Sequence, residues 1–150
     1  MKHCIIFVTL SISLFVFGCG GSQRPANLPK LHPCTVKVTL GDAPLADALV
    51  VLSPSIDQWF GNGATDSSGT VKIKTQGKFS GMAVGEYKVL ISKSVSSNPN
   101  WVSQSENDEP PPMIDYVDSI FSNPSKTPLD CTIKAGNNAF DFRVEAPGTK

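Results

Sequence analysis

From Cys34 onward, apolar and polar residues alternate. Cys34, Val36, Val38 and Leu40 are separated by Thr35, Lys37 and Thr39, the period-two pattern of a half-buried strand. The pattern recurs in Thr70–Thr75, where Val71 and Ile73 oppose Lys72 and Lys74, and in Glu86–Lys93, which puts Tyr87, Val89 and Ile91 on one face. It returns where Leu129, Cys131 and Ile133 alternate with Asp130, Thr132 and Lys134, and where Phe140, Phe142 and Val144 oppose Asp141, Arg143 and Glu145. Ala46–Ser53 is a more uniformly apolar run. Gln58–Thr65 holds Trp59 and Phe60 but also Gly61 and Gly63, which predicts an irregular or edge strand. Gly41-Asp42-Ala43-Pro44 and Asp66-Ser67-Ser68-Gly69 supply turns. The chain therefore predicts an all-β domain of about seven short strands, a β-sandwich.

Ser94–Pro128 breaks the rhythm with thirty-five residues rich in Ser, Asn and Pro, including Pro110-Pro111-Pro112. Loops longer than about fifteen residues are uncommon and are functional or disordered. This segment is expected to be the most mobile part of the domain. Met113, Ile114, Val117, Ile120 and Phe121 fall near helical spacing, which predicts a short helix capping one end of the sandwich.

Ahead of the strands, Met1-Lys2-His3 is a basic start, and Cys4–Phe17 is an apolar run of fourteen residues. As a helix that run spans about 21 Å, short of a hydrocarbon core of about 30 Å, and reads as a secretory signal. Its end, Val16-Phe17-Gly18-Cys19, resembles a bacterial lipoprotein signal, apart from Phe17, which stands where a small residue is usual. The resemblance implies removal of residues 1–18, with Gly18 the last residue lost, and a diacylglyceryl group and acyl chain on Cys19. One acyl chain binds membranes only marginally, so stable anchoring takes two or more. Gly20 stands where that family often has an Asp signalling inner-membrane retention, so the resemblance favours the outer membrane. Residues 19–33, with two Gly and three Pro after Cys19, read as a solvated tether. His32 lies in it and is read as a loop residue, because the mature chain has no second His.

The strand segments carry a second resemblance, spanning most of residues 34–145. Val36–Ser53 (VKVTLGDAPLADALVVLS), Ala64–Val71 (ATDSSGTV), Val84–Val89 (VGEYKV) and Asn137–Val144 (NNAFDFRV) resemble, in this order, successive pieces of carboxypeptidase-regulatory-like domains. The resemblance implies a seven-stranded Greek-key sandwich of the transthyretin type over residues 34–146, with no enzymatic activity and no cofactor.

Charge and composition narrow the function. Thirteen Lys and Arg balance thirteen Asp and Glu, which argues against nucleic acid as a partner, since binding to phosphates needs excess cations. No placed base accompanies a nucleophile, and no phosphate loop or Gly-x-Ser-x-Gly is present in the sequence, so no catalytic residues are assigned. With Cys4 lost and Cys19 acylated, Cys34 and Cys131 remain, both on the inward register of their strands. In an exported protein such a pair reads as a disulfide; the alternative is two buried free thiols. Two thiols without His do not make a metal site.

Asp66-Ser67-Ser68-Gly69 reads as a turn and not a calcium loop, lacking the repeated acids of such a site. Glu106, Asp108 and Glu109 read as a solvated loop. A Lys37 crosslink to Asn137 or Asn138 is disfavoured, because Lys37 points outward on its strand. The sequence reads as a lipid-anchored envelope protein with a structural, adhesive or protein-interaction role, its partners being the membrane and an envelope protein or glycan. The other reading is a small-ligand or glycan-binding module that uses Trp59 or Trp101 as a stacking platform.

Overall fold

The computed structural model of the chain describes residues 24–56 and 59–148. The signal segment 1–18 and the acylation site Cys19 lie outside the described residues, as does Gln58. In chain order the strands are β1 (Leu31–His32), β2 (Cys34–Leu40), β3 (Ala43–Pro44), β4 (Leu49–Pro54), β5 (Gly61–Ala64), β6 (Thr70–Lys72) and β7 (Lys74–Thr75). Then follow β8 (Phe79–Ser80), β9 (Met82–Ala83), β10 (Gly85–Ser92), β11 (Ser94–Ser96), β12 (Met113–Asp115), β13 (Asp130–Ile133) and β14 (Asn138–Val144), with a 3-10 turn at Ser119–Ser122.

Two sheets form the sandwich. One runs β13-β10-β4-β5-β7-β8, and the other runs β14-β2-β3 with β6 also paired to β2. The alternating residues meet between them: Val36 and Val38 from β2, Val50 and Leu52 from β4, Val89 and Ile91 from β10, and Ile133 from β13 are all buried. Burying one such side chain stabilises the fold by about 1.5–3 kcal/mol.

The strand pattern differs from the seven-strand expectation in three places, and one pairing is new. Thr70–Thr75 is two strands, not one: β6 pairs with β2, and β7 pairs with β5 in the other sheet. The crossing point is Ile73, buried in the core, whose N–H donates to the Cys34 carbonyl at 2.9 Å. The alternation therefore continues unbroken while the backbone changes partner. β5 is an interior strand between β4 and β7, not an edge. A Cβ on its Gly61 would collide with Met82 Sδ and Ile73 Cγ2, so the glycine admits a neighbour's side chain and does not mark an edge. The last strand, β14, lies parallel to β2 in a seven-residue register from Asn138↔Cys34 to Val144↔Leu40. Finally, the domain begins before Cys34. Leu28 is buried, and β1 pairs with β9, so the later part of the expected tether belongs to the folded body.

The insertion divides in two. Ser94–Ser96 and Met113–Asp115 pair as a two-stranded ribbon, so Met113 and Ile114 are in a strand and not in the expected helix. The helical expectation holds only for the 3-10 turn, where Asp118 Oδ1 accepts from Ile120 N at 3.0 Å. Residues after the ribbon are fastened to the body. Tyr116 N donates to the Lys93 carbonyl at 2.8 Å, and Asp118 N donates to the Glu145 carbonyl at 2.9 Å. Thr127 Oγ1 donates to the Val89 carbonyl at 2.9 Å. Val117 and Phe121 join the buried core. Phe121→Ala is expected to cost about 3 kcal/mol, because it leaves a cavity. Replacing Asn98–Pro110 by a short turn is expected to change stability by less than about 1 kcal/mol, since loop-closure entropy varies slowly with length. Urea unfolding of the two variants checks this; a loop deletion as damaging as Phe121→Ala would place 98–110 in the core.

Candidate functional site: the cysteine seam and the exposed ribbon

The start of β2 and the end of β13 meet at one end of the sandwich, joined by the β13–β14 turn. Asn138, the first residue of β14, binds both sides. Its backbone N–H donates to the Pro33 carbonyl at 2.9 Å. Its Nδ2 donates to Pro33 O at 3.3 Å, Lys134 O at 2.9 Å and Gly136 O at 3.1 Å, while its Oδ1 accepts from Lys134 N at 2.9 Å. His32 adds another tie: it is buried, and its Nδ1 accepts from Gly136 N at 3.0 Å. That bond fixes Nδ1 as the unprotonated nitrogen. Neither role was legible in the sequence. His32 reads as tether and Asn138 as part of the closing strand, because Gly136 for the one and Pro33 for the other lie about a hundred residues away in the chain.

Cys34 and Cys131 flank this junction, one residue after Pro33 and three before Lys134. They are 3% and 6% exposed and belong to one buried cluster. The structure holds them as separate thiols. Burial pushes the Cys34 thiol up to about 11. Burial also pushes Cys131 up to about 12, with smaller contributions from Cys34 and Asp130. Both are held in the protonated, unreactive form.

The other sequence candidates resolve as follows. Lys37 is exposed and opposite Asp141, whereas Asn138 pairs with the inward-facing Cys34; Lys37 and Asn138 are on opposite faces of the sheet. Asp66 Oδ1 accepts from Ser68 Oγ at 2.6 Å, Ser68 N at 2.9 Å and Thr70 N at 3.0 Å, which closes the turn and holds its carboxyl below the usual range, the Ser68 hydroxyl contributing most. Among the described residues, no group of three His, Cys, Asp or Glu could hold a metal ion. Beside this turn lies a groove of about 530 Å³ lined by Asn62, Asp66, Thr70, Lys72 and Lys74 among others. Neither Trp lines it: Trp59 is half-buried ahead of β5, and Trp101 is exposed in the insertion. Glu106, Asp108 and Glu109 are exposed, with Asp108 Oδ2 accepting from Gln104 N and Ser105 N.

The insertion concentrates apolar surface. Of eleven exposed large hydrophobic residues among the described ones, seven lie in it: Val95, Trp101, Val102, Met113, Ile114, Tyr116 and Ile120. Val95 and Ile114 are cross-strand partners on one face of the ribbon. Two-stranded ribbons are marginal alone in water; this one is anchored at its base, where Lys93 Nζ sits 5.4 Å from the Tyr116 ring centroid and donates to the Ala46 carbonyl at 2.8 Å.

No family model matches this chain, and no curated protein matches it. Among solved structures, it is similar to the major pilin subunit of Bacillus cereus, with a TM-score of 0.46 and 14% identity over 78% of this chain and 30% of that one. It is also similar to a 9R-lipoxygenase from Cyanothece, with a TM-score of 0.36 and 16% identity over 85% of this chain and 18% of that one. The chain thus spans less than a third of either protein. Both TM-scores are below 0.5, and the fold rests on this chain's own topology.

Proposed function

We propose that this chain is a lipid-anchored, non-enzymatic β-sandwich of the cell envelope, held to the outer membrane through Cys19, that acts by protein contact through its insertion. The order of its hairpin motifs supports a transthyretin-type, carboxypeptidase-regulatory-like ancestry for the sandwich. The observation that carries the reading is the uneven surface. Most of the exposed large hydrophobics fall in residues 94–128; Val95, Met113 and Ile114 stand on the ribbon itself, whose base is tied to the body through Lys93 and Tyr116. Contiguous exposed apolar surface marks interaction sites. Five acids in the same segment, Glu106, Asp108, Glu109, Asp115 and Asp118, against Lys126 alone, keep it soluble when unoccupied.

Two experiments test this. Cys19→Ser is expected to abolish membrane association and signal cleavage, read by cell fractionation and intact mass; a processed, membrane-bound variant would overturn the anchor. A photo-crosslinking residue at Ile114 is expected to give discrete protein adducts in cells, while the same residue at Thr132 gives none. Equal labelling at both, or none at Ile114, would remove the interaction role from the ribbon.

A further inference from the structure

We propose that Cys34 and Cys131 are joined in the exported protein as a disulfide between the two sheets, closed by thiol–disulfide exchange before the sandwich seals. The geometry carries this. β2 belongs to the four-stranded sheet and β13 to the six-stranded sheet, so a bond between them is a covalent tie from layer to layer. Asn138 binds Pro33 and Lys134 simultaneously, holding the residue before Cys34 against the backbone three residues after Cys131. Both cysteines belong to the same buried core cluster, each on the inward face of its strand.

The chemistry sets the order of events. One cysteine, as thiolate, attacks a sulfur of an external disulfide, forming a mixed disulfide and releasing one thiolate. The second cysteine then attacks the protein-bound sulfur of that mixed disulfide, forming the Cys34–Cys131 bond and releasing the other thiolate. The protein loses two protons and two electrons, and the oxidant is reduced to two thiols. The oxidant class is a protein or small-molecule disulfide, of the kind oxidising exported compartments maintain. In the folded domain both thiols are buried and protonated, so neither is presented to an oxidant. Exchange therefore proceeds on the open chain, and burial afterwards protects the bond from reduction.

The inference rests on the export reading, and its test separates the two. The exported full chain is quenched with N-ethylmaleimide in guanidinium, and its adducts are mapped by mass spectrometry. The expected result is no adduct on Cys34 or Cys131 and a mass about 2 Da below the reduced form. Adducts on both overturn the disulfide, whereas an adduct on Cys19 overturns acylation alone. For the order of events, the mature protein is reduced in urea, refolded with reductant, and then offered oxidised glutathione. The bond is expected to form more than about 100-fold more slowly in the refolded protein than in urea; equal rates overturn the proposal that closure precedes sealing.

Discussion

Gly81→Ala is expected to destabilise the domain by about 3–5 kcal/mol, measured as a lowered urea midpoint at unchanged slope. Gly81 holds φ at +96°, and an added Cβ would lie 2.5 Å from the His32 carbonyl oxygen and 2.8 Å from its carbon. The neighbour is backbone of β1, itself paired with β9, and cannot rotate away as a side chain would. Gly81 is also held from both ends: its N–H donates to the Ile73 carbonyl at 3.0 Å, and its carbonyl accepts from Thr75 Oγ1 at 2.6 Å. Gly136→Ala is the matched control. Its φ is +105°, but nothing lies within 4 Å of the added Cβ, so only the conformational strain of about 1–2 kcal/mol is expected. Equal losses in the two variants would show that the close approach of Gly81 to His32 contributes nothing.

Opening the proposed Cys34–Cys131 bond is expected to have an effect of similar size by a different route. The cysteines are 97 positions apart, and a cross-link closing a loop of that length removes unfolded-state entropy equivalent to roughly 4–5 kcal/mol, an upper figure because native-state strain subtracts from it. Protein reduced in denaturant and refolded with reductant should unfold at a much lower urea concentration than the oxidised protein. A Cys34→Ala/Cys131→Ala double variant should fall near the reduced protein, since both lack the cross-link. Coincident midpoints for oxidised and reduced protein would show that the bond does not constrain the unfolded chain.

The sequence by itself determined what depends on near neighbours. Alternation at Cys34–Leu40 and along Glu86–Lys93 is enough to define β2 and most of β10, because a strand's two faces are set by the pleat whatever it pairs with. The same rule puts Cys34 and Cys131 inward and Lys37 outward. Asp66-Ser67-Ser68-Gly69 is legible as a turn because its hydrogen bonds close within four residues. Tertiary structure decided everything that depends on a distant partner. Alternation says which face is apolar but not which strand lies alongside. For this reason the parallel pairing of β14 with β2, the passage of the chain between sheets at Ile73 and the interior place of β5 were invisible locally. His32 looks solvated among prolines and is buried only because β9 and the Gly136 turn close over it. Met113 and Ile114 fit a helical spacing, yet pairing with Ser96 and Val95 draws them into a ribbon. Short segments have weak intrinsic preferences, and a few long-range backbone hydrogen bonds are enough to override them.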